Sequence, residues 1–272
     1  MNNLALRSLT ALTGAAVIIF CVLWNEYTYC ILFISLSAAL HYEFLQTCKH
    51  IEGYTSSNPI DFFNIGFGIA MQLFMIYTKQ AGEQFAWIWI FAFLPLKFIV
   101  ELFRKTPHPF LQIGMHFTAY VYIVFPVSLL FFIPFTHTNG ALALIFLLMI
   151  WTNDTMAYFA GRAFGKHKLF ERISPKKTWE GFFGGMICTI GAAFLMHIWY
   201  TRMSGPQLAG MAMIVVVFGT LGDLVESMFK RSIHIKDSGS ILPGHGGFLD
   251  RFDAFLLALP FVFVYLVLIG VA

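Results

Sequence analysis

The sequence predicts an all-α, polytopic integral membrane protein with about nine transmembrane helices. Hydrophobic residues make up 58% of the 272 residues and charged residues only 11%, whereas about a quarter of a soluble domain is charged. Nine apolar runs are close to the roughly 17 to 25 residues that a helix needs to cross hydrocarbon. The runs are also too long and too uniformly apolar for the strands of a membrane barrel, which have about ten residues and a two-residue period.

The apolar runs follow one another along the whole chain, separated by polar connections. In order they are Leu9–Trp24, Tyr27–Leu45, Ile60–Thr78, Phe85–Phe103, Met115–Phe135, Ala141–Gly161, Trp179–Tyr200, Gln207–Phe229 and Ala254–Val271. The first run has the positive charge and apolar core of a signal peptide, but no small-residue cleavage site followed by a soluble domain. It is therefore expected to be a retained first span.

Lysine and arginine residues are distributed unevenly between the two sides of this layout. Fourteen lie on the side of the N-terminus, only Lys79 and Arg202 lie on the other side, and Lys97 lies within a helix. Because positive residues collect on the cytoplasmic side, we expect the N-terminus and the polar loops 161–178 and 230–253 to be cytoplasmic. The cationic face suits anionic lipid headgroups or phosphates, although part of it needs no role beyond orientation.

The chain shows no internal repeat, low-complexity linker or soluble domain, so residues 1–272 are predicted to form a single transmembrane catalytic domain. Residues 1–140 contain no motif to which chemistry can be attached and are interpreted as a helical scaffold. Within them, three polar residues near helix ends are interpreted as interfacial or packed rather than catalytic: His41, Glu43 and Glu101. Residues 141–272 are predicted to be the catalytic half.

A polar stripe runs along the eighth apolar segment. Asp223, Glu226, Ser227 and Lys230 are spaced i, i+3, i+4 and i+7, so they share one face of a helix. Ionisable residues next to a bilayer are costly unless they face water, a partner or a metal. The stripe therefore indicates a cavity or a partner, and favours a functional site.

Two further acids, Asp250 and Asp253, lie one turn apart where the last helix is expected to begin. Carboxylates are favourable at the positive end of a helix, so these residues could be capping acids alone. The glycine-rich stretch 243–247 just before them lets backbone approach a ligand closely and can aim N–H groups at an anion. Since Mg²⁺ takes one or two carboxylates together with phosphate oxygens and water, the combination predicts a Mg²⁺ and phosphate site.

The other polar loop is predicted to contribute a second anion site. Ser174 before Pro175 is read as the N-cap and first residue of a helix. A helix N-terminus next to Lys176 and Lys177 is suited to bind an anion. Three glycines in the segment that follows are interpreted as positions of close helix packing: Gly181, Gly184 and Gly185.

The polar segments resemble the signature of phosphatidate cytidylyltransferase, also called CDP-diacylglycerol synthase. The resemblance is carried by Ser-Met-Phe-Lys-Arg at 227–231, Lys-Asp-Ser-Gly at 236–239, Pro-Gly-His-Gly-Gly at 243–247 and Asp-Arg-Phe-Asp at 250–253. The stretches that begin at Asp154 and Ser174 look like a second block of the same family. Motif resemblance covers the chain from Asp154 onwards, whereas the first half agrees only in hydropathy.

The resemblance implies transfer of a cytidylyl group from CTP to phosphatidic acid, with a divalent metal, in the inner membrane of a bacterium. The products would be CDP-diacylglycerol and pyrophosphate. Phosphatidate is mostly a dianion near neutral pH, because the second pKa of a phosphomonoester is about 6, so no strong general base is needed. The barrier lies in aligning two polyanions and neutralising the developing charge.

The resemblance also assigns expected roles. Asp223 and Asp250 are expected to hold Mg²⁺, with Asp154 or Glu226 either as a further ligand or as a support of the ligands, and a second ion, divalent or K⁺, is left open. The residues expected to neutralise the triphosphate and the lipid phosphate are Lys230, Arg231, Lys236 and Arg251. Those expected to bind the nucleotide are Ser174, Lys177, Thr178, Gly246 and Gly247, while His245 is expected to donate a hydrogen bond or to shape its loop.

The expected partners are CTP, phosphatidic acid and membrane lipids; no nucleic acid is expected, and a homodimer is left open. Two other functions remain as alternatives. A membrane lipid kinase, of the polyprenol or dolichol type, would need similar residues but would release a nucleoside diphosphate rather than pyrophosphate. A transporter or scaffold would place charges at the membrane midplane in broken helices, often in repeated halves, whereas here they collect at one end of the helices.

Overall fold

The computed structural model describes residues 3–80, 95–133, 135, 140–239 and 247–271. These ranges are mostly helical, and the strands within them form one short antiparallel hairpin. The elements are α1 (Asn3–Trp24), α2 (Glu26–Cys48), α3 (Asn58–Gln80), α4 (Pro109–Phe132), α5 (Ala141–Phe164), β1 (Lys168–Phe170), β2 (Ser174–Thr178), α6 (Trp179–Trp199), α7 (Gly205–Ser232) and α8 (Leu249–Leu268). Residues 95–102 are helical as well.

Seven helices in the described ranges, α2 to α8, are long and apolar enough to cross a membrane. The predicted fold class, an all-α polytopic membrane protein, is confirmed. The number nine stays a prediction for two reasons. The apolar part found in α1, Leu12–Trp24, is shorter than the other seven, and residues 85–94 of the predicted span Phe85–Phe103 lie outside the described ranges.

Local side-chain chemistry determines where several helices begin. Asn25 starts α2 by accepting a hydrogen bond from the backbone N–H of Thr28 at 2.8 Å, and the Thr28 side chain reciprocates. Ser204 and Gln207 form the same reciprocal pair at the start of α7. Such capping boxes satisfy backbone N–H groups that a helix cannot satisfy by itself.

Helix α4 changes its hydrogen-bonding pattern in the middle. Residues Tyr120–Val124 form a π turn, in which the N–H of Phe125 bonds to the carbonyl of Tyr120. Pro126 follows directly, and proline has no N–H with which to continue the regular ladder. The π turn is thus explained by a proline within an apolar span, a recognised cause of irregular helical segments.

The core joins both halves of the chain. Phe33 of α2 stacks on Phe255 of α8 with ring centroids 6.2 Å apart, and Phe146 of α5 contacts the same Phe255 ring at 5.3 Å. All three rings are fully buried. The helices that carry the polar segments are therefore packed directly against the N-terminal helices.

Candidate active site

The polar faces of α7 and α8 meet at a glycine. A Cβ at Gly222 would lie 3.0 Å from the Cα of Ala254, so only a residue without a side chain allows the two backbones to approach this closely. The next residue on α7, Asp223, is thereby brought against Asp253 of α8, and the two carboxyl groups interact directly. Two acids that the sequence separates by a long polar segment become neighbours.

Asp250 is held at the start of α8 by several donors. Lys230 of α7 donates a hydrogen bond to its Oδ1, and the backbone N–H groups of Ser238 and Gly247 each donate to its Oδ2 at 3.1 Å. Lys230 also pairs with Glu226, one turn earlier on α7, at 2.6 Å. The orientation of Asp250 is therefore determined before any ligand binds.

The prediction that Ser174 starts a helix is wrong. Ser174–Thr178 is strand β2, which pairs with β1, and α6 begins only at Trp179 with Thr178 as its N-cap. Thr178 accepts a hydrogen bond from the N–H of Gly181 at 3.2 Å. The physical reason is the pairing of β2 with β1, because an extended Ser174 before Pro175 suits a helix N-cap and a strand alike.

The hairpin directs a lysine onto α7. Lys177 of β2 forms a salt bridge with Asp223. The turn leading into the hairpin is fixed by Glu180 of α6, which accepts hydrogen bonds from the backbone N–H of Lys166 at 3.1 Å and from the ring of His167 at 2.6 Å. The hairpin of the polar loop 161–178 therefore contacts the polar face of α7.

Glycines in α6 allow that helix to lie close to α5. A Cβ at Gly181 would lie 2.8 Å from the carbonyl oxygen of Ala157, and one at Gly185 would lie 2.6 Å from the Oδ1 of Asn153. A Cβ at Gly184 would likewise collide with Ala160. The interpretation of these three glycines as close-packing positions is confirmed.

A cavity of about 670 Å³ lies between α5, the hairpin, α6, α7 and α8. Its acidic lining residues are Asp154, Asp223, Asp250 and Asp253. Its cationic lining residues are Arg162, Lys176, Lys177 and Arg251. Aromatic side chains complete the wall, among them Trp151, Tyr158, Phe182 and Phe252. A cavity with carboxylates and cations facing one another can hold a phosphorylated ligand together with a cation.

The structure brings most of the predicted site residues into this cavity. Those that line it are Asp154, Ser174, Lys177, Thr178, Asp223, Asp250 and Arg251. Lys230 is buried between Glu226 and Asp250 instead of lining the cavity. Arg231 and Lys236 are exposed and not among the lining residues. The Gly247 backbone bonds to Asp250, and His245 and Gly246 lie outside the described residues.

The acidic wall has the composition of a hard-cation site. Within the described ranges, no group of three or more His, Cys, Asp or Glu is arranged to hold a metal ion. Mg²⁺ does not need such a cluster, because one or two carboxylates with water and phosphate oxygens complete its shell. Asp223 and Asp253 place two carboxyl groups in contact, an arrangement that a cation would stabilise. The carboxylate oxygens of Asp223 and Asp250, which both line the cavity, therefore fit Mg²⁺, whose remaining ligands would be water and phosphate oxygens.

Glu43 is a contact of the site that the sequence reasoning missed. This α2 residue was interpreted as interfacial or packed, yet its carboxylate accepts hydrogen bonds from the backbone of Phe248 and Leu249, where α8 begins. An acid within an apolar segment was the signal available in the sequence. Without the tertiary structure, nothing connected that acid to a loop more than 190 positions away.

Comparison with known proteins relates the chain to enzymes. The model of the Cytidylyltransferase family matches residues 5–269. A phosphatidate cytidylyltransferase of Staphylococcus epidermidis is 37% identical over 233 residues, which cover 83% of this chain and 88% of that protein. A protein of the same name from Staphylococcus aureus is 37% identical over 217 residues, which cover 77% of this chain and 82% of that protein. Another, from Staphylococcus haemolyticus, is 37% identical over 204 residues, which cover 73% of this chain and 77% of that protein. The chain belongs to the Cytidylyltransferase family.

Proposed function

We propose that the chain is a phosphatidate cytidylyltransferase, which transfers a cytidylyl group from CTP to phosphatidic acid and releases pyrophosphate. The names of its relatives support this reaction. The observation that carries the proposal for the site is that acids of α7 and α8 line one cavity together with Lys177 and Arg251. Two polyanionic substrates need this combination, because cations offset their mutual repulsion and carboxylates hold the metal that accompanies CTP.

The reaction forms one phosphorus–oxygen bond and breaks another. An oxygen of the lipid phosphate attacks the α-phosphorus of CTP, and the bond from that phosphorus to the bridging oxygen of the β-phosphate breaks, so that pyrophosphate leaves with the bonding electrons. The lipid phosphate is mostly a dianion near neutral pH, since its second pKa is about 6. The chain therefore has to position the reactants and to neutralise charge rather than to remove a proton.

Asp223 and Asp250 are the residues that we assign to Mg²⁺, and Asp154 and Asp253 lie beside Asp223 in the same cavity. Asp154 lies within the electrostatic range of Asp223, Lys177 and Arg251. When bound, the ion would neutralise phosphate oxygens on which negative charge develops. A second ion, divalent or K⁺, stays a prediction.

Lysine and arginine residues of the cavity are assigned to the phosphates. Lys177 is partly exposed and pairs with Asp223, so its ammonium group can exchange the carboxylate for a phosphate oxygen at little cost. Arg251 faces the same cavity from α8.

Lys230 is buried against two acids, and we assign it to the positioning of Asp250. Arg231 and Lys236 are exposed, where they can meet lipid headgroups at the membrane surface.

The acyl chains of phosphatidic acid are proposed to enter sideways from the bilayer. Tyr158 of α5 lines the cavity, and its side chain is exposed. Three further apolar side chains of α5 and α6 are exposed: Phe159, Phe183 and Ile187. Such a surface suits lipid chains while the phosphate reaches the polar residues.

The placement in the cell is proposed from charge. The positive-inside rule puts the cavity at the cytoplasmic side of a bacterial inner membrane, where CTP is available. Fusion of a reporter enzyme to the loop at residues 161–178 tests this orientation, and periplasmic activity of that reporter would contradict it. A homodimer stays a prediction.

The test of the reaction uses the purified full-length protein in lipid nanodiscs. It is incubated with phosphatidic acid, Mg²⁺ and each nucleoside triphosphate in turn, and lipid products and pyrophosphate are quantified. We expect CDP-diacylglycerol and equimolar pyrophosphate with CTP. Formation of a nucleoside diphosphate and a phosphorylated lipid would indicate a kinase, and the absence of any nucleotide-linked lipid would contradict the proposed function.

A further inference from the structure

Glu43 is a buried carboxylate in the half of the chain that carries no recognisable motif. Its exposed fraction is 1%. Its two oxygens accept hydrogen bonds from the hydroxyl of Ser238 and from the backbone N–H groups of Phe248, at 2.7 Å, and Leu249, at 3.1 Å. Among the described residues, no lysine or arginine forms a salt bridge with it, so these three donors hold its charge.

The contacts with Phe248 and Leu249 supply a cap that α8 lacks. Phe248 is the N-cap residue of α8 and has no side chain that can bond to the free N–H groups of the first turn. Such groups are costly when buried without an acceptor. Glu43 provides the acceptor from a different helix, and its negative charge lies at the positive end of the α8 dipole.

Ser238 links Glu43 to Asp250. Its hydroxyl donates to Glu43, its backbone N–H donates to the Oδ2 of Asp250 at 3.1 Å, and its carbonyl accepts a hydrogen bond from the hydroxyl of Thr47 at 2.8 Å. Thr47 lies one turn after Glu43 on α2. All three polar groups of one serine thus connect α2 with the carboxylate that we assign to the metal.

Two glycines leave room for the Glu43 carboxylate. A Cβ at Gly247 would collide with both the Glu43 carboxylate and the Ser238 hydroxyl. A Cβ at Gly239 would lie 3.1 Å from the Cδ of Glu43. The N–H of Gly247 donates to Asp250, so the backbone that orients Asp250 is the same backbone that closes around Glu43.

We propose that Glu43, with Thr47 as its support, is a positioning residue that holds Ser238 and the start of α8 so that Asp250 faces the cavity in a fixed orientation. The inference deepens the proposed function and rests on it for the role of Asp250. Glu43 touches neither substrate in this assignment. Its effect reaches the reaction through Ser238 and the first turn of α8.

The test compares Glu43→Gln with Glu101→Gln in the full-length protein. Glu101 is a matched control, because it is also a buried carboxylate of the N-terminal half, and it accepts hydrogen bonds from Arg104 and Thr106 rather than from the site. Glutamine at position 43 keeps the size of the side chain but replaces one acceptor oxygen by an NH₂ group. At least one of the three donors then faces another donor.

The first measurement is hydrogen exchange in peptides that cover residues 247–253, without substrates. Without a helix cap, the first turn of α8 opens more often. We therefore expect hydrogen exchange there to be about tenfold faster in Glu43→Gln. Glu101→Gln should leave exchange in this peptide unchanged. Equal exchange in wild type and Glu43→Gln would overturn the proposal.

The second measurement concerns Mg²⁺ in the absence of turnover. Titration with Mn²⁺ as a spectroscopic probe, competed by Mg²⁺, should give an affinity lower by about 10- to 100-fold in Glu43→Gln, the range typical when a partner of a metal ligand is lost. Glu101→Gln should bind as the wild type does. If Glu43→Gln bound Mn²⁺ as tightly as the wild type does, Glu43 would not position Asp250.

Coupling to Ser238 provides a third measurement. If Glu43 acts through Ser238, the combined variant Glu43→Gln/Ser238→Ala should lose less metal affinity than the sum of the single changes. Strict additivity would contradict the proposed route. Should Glu43→Gln fail to fold, Thr47→Val, which removes one hydrogen bond to the Ser238 carbonyl, is measured by the same exchange and titration experiments.

These outcomes are separate from those of the proposed function. If the wild type made no CDP-diacylglycerol, the reaction assignment would fail, yet exchange and metal binding would still report on Glu43. If the wild type is active and Glu43→Gln alters neither exchange nor metal affinity, only the positioning role fails.

Discussion

Lys177 of strand β2 donates a hydrogen bond to the Oδ2 of Asp223 on α7, 46 positions later in the chain. The contact joins the polar loop 161–178 to the polar face of α7, because Lys177 belongs to the loop and Asp223 is the first residue of that face. Both side chains are partly exposed. A phosphate group that enters the cavity can therefore bind Lys177 in place of Asp223, which leaves the carboxylate available to a cation.

Removal of either acid assigned to the metal should abolish turnover. For Asp223→Asn and Asp250→Asn we expect rates at least about 100-fold lower than those of the wild type, because each change removes a negatively charged oxygen ligand. Initial rates of CDP-diacylglycerol formation over a range of Mg²⁺ concentrations measure this. Asp237→Asn is the control, since Asp237 is exposed and outside the cavity. Near-normal rates of both cavity variants at modest Mg²⁺ would refute the metal assignment.

Lys177 should matter for the nucleotide. Lys177→Ala removes a charged hydrogen-bond donor, and we expect kcat/KM for CTP to fall about 10- to 100-fold. The control Lys168→Ala changes an exposed lysine of the same hairpin that does not line the cavity. Steady-state kinetics with CTP as the varied substrate measure both variants. If the two lysine variants behave alike, Lys177 has no specific role in CTP binding.

Lys230 should matter for the stability of the protein, because it is buried and pairs with two acids. Lys230→Met leaves Glu226 and Asp250 without their shared cation, and we expect the free energy of unfolding to fall by about 3 kcal/mol. Thermal unfolding followed by tryptophan fluorescence measures the loss. The double variant Glu226→Gln/Lys230→Met should recover part of it, because one uncompensated carboxylate is removed. Lys236→Met, at an exposed position, is the control, and an equal melting temperature for both lysine variants would contradict the buried network.

The approach of α7 and α8 should depend on Gly222. We expect Gly222→Ala to lower the free energy of unfolding by about 1 to 3 kcal/mol, since an added methyl group would overlap the α8 backbone, and to reduce activity because Asp223 and Asp253 move apart. Gly219→Ala is the matched control on the same helix, where a Cβ would make an ordinary contact of 3.6 Å with Ala254. The comparison fails to support close packing at Gly222 if both variants melt at the same temperature and retain activity.

Binding of CTP should require the divalent ion. In the presence of Mg²⁺, a CTP concentration about 100 times its dissociation constant should stabilise the protein by about 2.7 kcal/mol. After treatment with a chelator we expect most of this stabilisation to disappear and activity to be lost, with both restored by added Mg²⁺. Thermal shifts in the absence of phosphatidic acid measure binding separately from turnover. If CTP shifted the melting temperature equally with and without Mg²⁺, the two ligands would not share a site.

The polar face of α7 could be predicted from the sequence, whereas strand β2 could not. The spacing of Asp223, Glu226 and Lys230 on one helical face is a local property, and in the structure Lys230 pairs with Glu226 on that face. The start of α6 was predicted too early, because Ser174 and Pro175 match the pattern of a helix start equally well. Pairing of β2 with β1 decided in favour of a strand, and such pairing depends on residues outside the motif.

The sequence by itself determined the class of the molecule and the identity of its polar clusters, because hydrophobic content and helical periodicity are properties of short stretches of chain. Only the tertiary structure decided which acid lies beside which cation, and that Glu43 reaches Ser238 and the first turn of α8. Those contacts depend on how closely α7 and α8 approach at Gly222, and on the room that Gly247 leaves for the Glu43 carboxylate. Contacts across 20 to more than 200 positions arise only when the whole bundle packs.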